Sequence, residues 1–207
     1  VNGTMTRSSN QGETWSLLNP VTSADLHGID IDGDNFCVVG DNGTIFTSFD
    51  HGANWTIHAS GTTRDLKAIS IHSNSESNLV AVGEKGTILR STNSGENWSN
   101  VSIPDTTINF HCISQQTRQN YNATNYYIAG SQGKIYKSTN LGASWVLKNS
   151  GTTNTLRSIY FSGNDSGAVT GDNGTVRMTT NAGETWFADP YFNSATGSIT
   201  SISQMPR

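Results

Sequence analysis

Hydrophobic residues recur along this chain in short groups, separated by runs rich in Gly, Asn, Asp, Ser and Thr. Apolar groups of this length, bounded by turn-forming residues, favour short strands over helices. In one stretch they predict strands over Leu66–Ile71, Leu79–Gly83, Thr87–Ser91 and Trp98–Ile103, with turns between them. The same order of elements returns about every 40–45 residues, which predicts a chain built from four-stranded units.

Three sequence elements mark each unit. The first is the box [ST]-x-[DN]-x-G-x-x-W, whose five tryptophans follow one another at spacings of 40, 43, 47 and 41 residues. The second is a G-x-x-G turn, as in Gly40–Gly43, and the third is an apolar pair three residues apart, as in Leu26 and Ile29. We expect a structural turn role for the box residues, which are Asn10, Trp15, Asp50, Trp55, Asn93, Trp98, Asn140, Trp145, Asn181 and Trp186.

A four-stranded unit repeated at this period is the sequence signature of a β-propeller. We therefore predict an all-β protein with a single propeller domain over residues 1–207, built from five four-stranded antiparallel blades. One blade is expected to be shared by residues 1–25 and 197–207. Its second strand has no counterpart in the sequence. Two alternatives therefore stay open, a closed ring with a three-stranded shared blade and a piece of a longer propeller.

Composition and charge agree with this architecture and narrow the function. Nearly half of the chain is Gly, Ser, Thr and Asn, which favour turns and extended chain over helix interiors. The net charge of −4 argues against a nucleic-acid partner, and no apolar run approaches the ~20 residues of a membrane-spanning helix. Cys37 and Cys112 fall at non-equivalent repeat positions, so we expect neither a disulfide framework nor a bound metal or cofactor.

The three elements together resemble the Asp-box (bacterial neuraminidase) repeat proteins, and the resemblance covers essentially the whole chain. The fuller unit, which runs from Gly40 to Trp55 and continues through Ser60–Thr62 to Leu66-x-x-Ile69, is most similar to the photosystem II stability/assembly factor propellers. This resemblance implies a non-catalytic propeller and favours an extracytoplasmic location, whether secreted, periplasmic or lumenal. It also implies that the box turns lie at the periphery, on the face away from the ligand.

The resemblance extends to sialidases and other glycoside hydrolases, which need an arginine cluster with a Tyr/Glu nucleophile pair, or two paired carboxylates. Acidic residues such as Asp25, Asp30 and Asp32 lie near predicted strand ends, where solvated turn positions explain them. No other catalytic motif is present, so we predict that the chain is not an enzyme. The alternatives are a carbohydrate-binding protein or a fragment of an Asp-box glycoside hydrolase, and an excised repeat piece with no partner of its own.

One column of basic residues stands out from the turn background. Alignment of the predicted first strands places His27, Lys67, His111 and Arg157 at the same repeat position. First strands line the central channel of a propeller, so these groups are expected near one channel mouth. Convergent cations there would favour a carboxylate, a phosphate or an acidic peptide segment. The alternative is that they bind carbonyl groups between blades.

A second candidate is the loop Gln115–Asn125. Seventeen residues separate Ile113 from Gly130, whereas the equivalent spans are 11, 14 and 12 residues. The loop carries Arg118 and Tyr121 and is expected on the box face, as a recognition loop or as a tolerated insertion. From these features we predict a non-catalytic binding or assembly scaffold with a protein or anionic ligand at the channel mouth, a glycan being the alternative ligand.

Overall fold

The structure is a computed structural model that describes residues 3–18, 22–72, 75–116, 125–162, 165–189 and 196–203. Its regular structure in these ranges is β-strand, apart from the short 3-10 turns Asp41–Gly43 and Ser131–Gly133. No helix in the described part of the chain is long and apolar enough to cross a membrane. The strands in chain order are β1 (Thr6–Arg7), β2 (Ser16–Leu17), β3 (Leu26–Asp32), β4 (Asn35–Gly40), β5 (Ile45–Ser48), β6 (Thr56–His58), β7 (Leu66–His72), β8 (Ser75–Gly83), β9 (Ile88–Ser91), β10 (Ser99–Asn100), β11 (Phe110–Gln115), β12 (Tyr126–Gly130), β13 (Ile135–Ser138), β14 (Val146–Lys148), β15 (Leu156–Ser162), β16 (Ser166–Gly171), β17 (Val176–Thr179) and β18 (Phe187–Ala188).

These strands form five antiparallel sheets, as the repeat predicts. Four sheets are four-stranded meanders in chain order, namely β3–β6, β7–β10, β11–β14 and β15–β18, and β1 pairs only with β2. The register is the same in successive sheets: Ile29 lies opposite Val38 in the first complete sheet, and Ile69 lies opposite Ala81 in the second. The all-β propeller with one blade per repeat is therefore confirmed, with two strands described in the fifth blade.

The core lies between neighbouring blades. First strands pack side by side, β3 against β7, β7 against β11, and β11 against β15. Apolar side chains fill the space between the sheets, because every strand alternates its side chains between the two neighbouring blades. At the first of these interfaces, Cys37 and Val39 of β4 pack in one cluster with Leu66, Ile69 and Ile71 of β7.

The Asp-box turns join the third and fourth strands. In the first complete blade the Ser48 hydroxyl accepts a bond from the Gly52 amide at 2.9 Å and donates to the Asp50 carboxylate at 2.8 Å. The Trp55 indole donates to the Gly52 carbonyl oxygen at 3.1 Å. Ser138, Asn140 and Gly142 repeat the hydroxyl contacts.

The fourth strand of the second complete blade is shorter than its sequence predicts. It was expected over Trp98–Ile103, and the structure forms β10 over Ser99–Asn100. Beyond this strand the Ser102 hydroxyl accepts from the Ile88 amide at 3.0 Å and donates to the Ile88 carbonyl oxygen at 3.3 Å. The Val101 amide also donates to the Ile88 carbonyl oxygen at 3.0 Å, so one backbone bond continues past β10 and the Ser102 hydroxyl takes the place of the next one.

Residues 196–203 lie along the fourth complete blade without forming a strand. The Gly197 carbonyl oxygen accepts from the Gly174 amide at 2.6 Å, which repeats the contact between Ile108 and Gly86 at 2.6 Å. Because Ile108 leads into β11, the segment occupies the place of a first strand beside β15. In the described residues no strand pairs with the second edge of β1, so the sharing of this blade by residues 197–207 stays a prediction.

Candidate functional site at the channel mouth

The four basic residues predicted from the repeat occupy one structural position, the extra residue of a β-bulge. In β3, Leu26 lies opposite Gly40 and Gly28 lies opposite Val39, which leaves His27 without an opposing residue. The same register shift occurs at the other three, Lys67, His111 and Arg157. A bulge redirects the side chain of its extra residue away from the regular alternation of the strand. Four consecutive blades therefore present a basic side chain in the same way.

A glycine ends the second strand opposite each bulge because the bulge brings the two backbones close together. A Cβ atom at Gly40 would lie 2.3 Å from the carbonyl oxygen of Asp25, and one at Gly83 would lie 2.0 Å from that of Asp65. The first glycine of the G-x-x-G element is therefore required by the close approach at the bulge.

Lys67 lies at the centre of a charged cluster. Its ammonium nitrogen is 3.0 Å from Oδ2 of Asp65, 3.6 Å from Oδ1 of Asp41 and 3.9 Å from Oε1 of Glu84. It also lies 3.1 Å from Nε2 of His27, the equivalent bulged residue of the preceding blade. His27 in turn contacts Asp41 of its own blade. These contacts bridge the first two complete blades.

Asp65 is held in this cluster by the backbone as well as by Lys67. Its Oδ1 accepts from the Asn42 amide of the preceding blade at 3.0 Å. That bond, followed by the hydrogen bond and charge of Lys67, lowers the pKa of the Asp65 carboxyl. The carboxylate is therefore stabilised in its charged form at neutral pH.

Arg157 forms a two-point ion pair with Asp172 of its own blade. The guanidinium Nε and Nη2 atoms donate to the two carboxylate oxygens at 2.7 and 2.9 Å. The Ser198 hydroxyl donates to the same carboxylate at 2.8 Å. The bonds from Arg157, and then the bond from Ser198, lower the pKa of Asp172. Ser198 belongs to the segment in the first-strand place, which ties that segment to the mouth.

His111 differs from the other three because its blade has no carboxylate at the matching turn position. Ser131 stands there, and its hydroxyl accepts from the Asn109 amide at 2.8 Å. Burial lowers the pKa of His111, and the cations Arg157 and Lys67 lower it further. His111 therefore lies within electrostatic range of both neighbouring blades, and its surroundings favour the neutral imidazole.

The three ligand atoms of His27, Asp41 and Asp65 are close enough together for a metal ion. The Lys67 ammonium already lies at 3.0 Å from Asp65 and 3.6 Å from Asp41, where it supplies the positive charge. The residues therefore fit an internal ion-pair cluster better than a metal centre.

The alignment of the repeats placed the basic residues in one column, and they share the bulge position in the structure, but it missed the carboxylates that accompany them. Asp41, Glu84 and Asp172 occupy one column, the first position after the first glycine of G-x-x-G. This acidic column was readable from the alignment of the repeats. The carboxylate partners of Lys67 and Arg157 also differ from the inter-blade carbonyl groups considered as the alternative. Arg118 and Tyr121 of the second candidate lie outside the described residues.

Fold and site together define an Asp-box β-propeller with a mixed-charge cluster at the bulges of its first strands. The family model described as photosynthesis system II assembly factor YCF48 matches residues 7–159. The chain belongs to this family.

Solved structures show the same fold. YCF48 from Cyanidioschyzon merolae matches 98% of this chain and 71% of its own, at 16% identity and a TM-score of 0.70. The GH74 enzyme from Niastella koreensis matches 89% of this chain and 34% of its own, at 15% identity and a TM-score of 0.71. The GH74 xyloglucanase from Xanthomonas campestris matches 91% of this chain and 34% of its own, at 13% identity and a TM-score of 0.66. No curated protein sequence matches significantly.

Proposed function

We propose that this chain is a non-catalytic scaffold that binds a segment of a protein partner at the channel mouth. The observation that carries the proposal is the bulge at His27, Lys67, His111 and Arg157, which presents four side chains from adjacent first strands at one end of the blades. Membership of a family described as an assembly factor supports a protein ligand, because an assembly factor must hold another protein.

The charges of the mouth favour a segment that carries groups of both signs. Lys67 and Arg157 are already paired with carboxylates, so a simple anion would compete with Asp65 and Asp172 for them. Arg157 uses two of its five N–H donors on Asp172, and its side chain is 39% exposed. The anionic ligand expected from the basic column is therefore proposed in a narrower form, as a carboxylate of the partner segment that joins the Arg157 pair.

The carboxyl groups of the mouth do not suit the carbohydrate-active alternative. A glycosidase needs an acid whose pKa is raised, so that it can protonate the leaving group. Asp65 and Asp172 have lowered pKa values because of the hydrogen bonds that they accept. The extracytoplasmic location and the role of the loop with Arg118 and Tyr121 stay predictions.

Selection of peptides on the immobilised protein tests this function, with a glycan array and a xyloglucan and sialoside hydrolysis assay beside it. We expect peptides with an acidic residue whose binding is lost in Arg157→Gln and kept in Lys85→Gln, since Lys85 is exposed and outside the ion-pair cluster. Turnover of a glycan, or peptide binding that is unchanged in Arg157→Gln, would contradict the proposal.

A further inference from the structure

The third complete blade differs from the other complete blades in having no acidic residue next to its bulge. Two sequence columns flank each bulge, the residue before the first strand and the residue after the first glycine of G-x-x-G. Over the four complete blades the two columns read Asp25, Asp65, Asn109 and Thr155, and Asp41, Glu84, Ser131 and Asp172. The other three blades have an acid in at least one column, whereas the third blade has an acid in neither.

The two neutral residues of the third blade keep the backbone contacts of the acids that they replace. Oδ1 of Asn109 accepts from the Lys85 amide at 2.9 Å. In the preceding blade Oδ1 of Asp65 accepts from the Asn42 amide in the same way, at 3.0 Å. The Asn109 carbonyl oxygen accepts from the Ser131 amide at 2.9 Å, a contact that every complete blade repeats. The third blade therefore has the same local fold without the negative charge.

The missing carboxylate leaves two polar groups of the third blade without an acceptor. The other three bulged residues each contact a carboxylate. In the part of the chain that the structure describes, the His111 ring makes no hydrogen bond and no ion pair. Ser131 stands in the place of the carboxylate; its hydroxyl accepts from the Asn109 amide at 2.8 Å and donates to no described residue. A ring N–H and a hydroxyl O–H are thus available to a ligand.

The charges around His111 favour an anion at this place. Lys67 on β7 and Arg157 on β15 face it as cations, and Asp172 faces it as a carboxylate. The strand paired with β11, Tyr126–Gly130, carries no charged side chain. Burial and then the two cations lower the pKa of His111, against the opposing charge of Asp172. A second anion would reverse this balance, because it would attract the imidazolium and both cations.

We infer that the His111 imidazolium and the Ser131 hydroxyl bind a carboxylate of the partner segment, in the place that an acidic side chain takes in the other blades. The inference rests on the proposed function and adds a pH dependence to it. The complex holds a proton on His111 that the free protein releases near neutral pH, so affinity rises as the pH falls while the ligand carboxylate stays ionised. Arg157, within electrostatic range of His111, attracts the same carboxylate.

An NMR titration of the His111 imidazole in the whole chain tests the site, with acetate as the simplest carboxylate probe. One titration is made in sodium acetate and a second in sodium chloride of equal ionic strength. In about 100 mM acetate we expect the pKa of His111 to be higher by at least about 0.5 than in chloride, as a dissociation constant of about 50 mM for the charged form would give. The measurement needs no partner protein.

The variant Ser131→Asp restores the carboxylate that the other blades carry. It should raise the pKa of His111 in chloride, and acetate should then raise it no further. The matched control is Asn149→Asp, which adds the same charge at an exposed position after β14 and keeps an acceptor for the Gly151 amide. This control should respond to acetate like the unchanged protein. A thermal melt checks that both variants fold, and the titration of the unchanged protein decides the inference in either case.

The acidic peptide selected on the immobilised protein extends the test to the partner segment. We expect it to bind at least about tenfold more tightly at about pH 5.5 than at about pH 8, because a contacting opposite charge changes a pKa by about 1 or more. His111→Gln should remove this difference.

Two results would overturn the inference: a His111 pKa that is equal in acetate and chloride, or one that acetate raises as much in Ser131→Asp. Peptide binding that depends on Arg157 but not on pH would also overturn it and leave the proposed function standing. Failure to select any peptide, with the acetate response intact, would contradict the proposed function and support the carboxylate site.

Discussion

The ammonium nitrogen of Lys67 lies 3.1 Å from Nε2 of His27, a residue 40 positions earlier in the chain. Both are the extra residue of a bulge, in adjacent first strands. The His27 nitrogen can accept from Lys67 or donate to Asp41, and a single ring nitrogen cannot do both at once. The polar contacts that join these two blades therefore depend on which ring nitrogen of His27 carries the proton.

Replacement of Lys67 by methionine should destabilise the protein by about 1 kcal/mol at pH 7, because Asp65, Asp41 and Glu84 lose their shared cation. The lowered pKa of Asp65 stabilises the fold above the usual carboxyl pKa of 3.8, and this contribution is lost as the pH falls through the folded pKa. The loss of unfolding free energy in Lys67→Met should therefore be smaller at acidic pH than at pH 7. Urea unfolding from pH 7 to pH 3 measures this, with the exposed Lys85→Met as the control. A loss of unfolding free energy that is equal at all pH values would contradict a stabilising role for the ion pairs around Lys67.

The pKa of His111 should lie below 6.5 in the folded protein, chiefly because of burial and then because of Arg157 and Lys67. Since the fold disfavours the charged imidazole, stability should fall as the pH drops below 6.5, and His111→Gln should remove this slope. Arg157→Gln should raise the pKa of His111, because it removes a nearby cation and leaves the negative charge of Asp172 unpaired. Arg177→Gln should leave the pKa of His111 unchanged. An NMR titration of the imidazole checks both statements. A pKa at or above 6.5 would place His111 outside the charged mouth.

Gly183→Ala should destabilise the protein more than Gly12→Ala. Both glycines have positive φ, 72° and 89°, so both substitutions strain the backbone by about 1 kcal/mol. At Gly183 the new Cβ would also lie 2.7 Å from Tyr127, whose ring is fully buried and stacks on Phe161, whereas at Gly12 the nearest atom is 3.9 Å away. We expect a total of about 2–4 kcal/mol for Gly183→Ala by chemical denaturation. Equal losses would show that the box turn does not pack on the preceding blade.

The Cys37 thiol should be unreactive until the protein unfolds. It is fully buried, and burial, with a smaller effect of Asp30, raises its pKa. Burial also raises the pKa of Cys112 to about 12, so this thiol is expected to react slowly as well. Modification by a thiol reagent under native conditions, followed by addition of denaturant, measures both rates. Rapid reaction of two thiols in the native protein would contradict the packing of β4 and β11.

The sequence predicted the blades well because their signals are local and periodic. The box around Trp55 and the turn Gly40–Gly43 recur at nearly constant spacing, and each determines a turn from its own residues. The column of His27 and Lys67 was also visible by alignment.

The bulge was not visible, because an extra residue in one strand is defined only by the register of its partner strand. For the same reason the carboxylate column at Asp41 and Asp172 could be aligned but not joined to the basic column. The exposure of Ile29 was equally hidden, because it depends on the strands that lie beside β3, and in the described residues β1 pairs only with β2.

Photo-crosslinking from two positions, one at the mouth and one at the outer edge of a blade, tests most directly whether a protein partner binds at the channel mouth. A crosslinking amino acid at Asn42, which is exposed and bonded through its amide to Asp65, reports on the mouth. The same amino acid at Val146, which is 59% exposed on β14, reports on the outer edge of a blade.

The partner peptide selected on the immobilised protein is added to both proteins and the adducts are mapped by mass spectrometry. We predict adducts from position 42 that Arg157→Gln abolishes, and none from position 146. Adducts from position 146 alone, or adducts from position 42 that persist in Arg157→Gln, would contradict binding at the mouth.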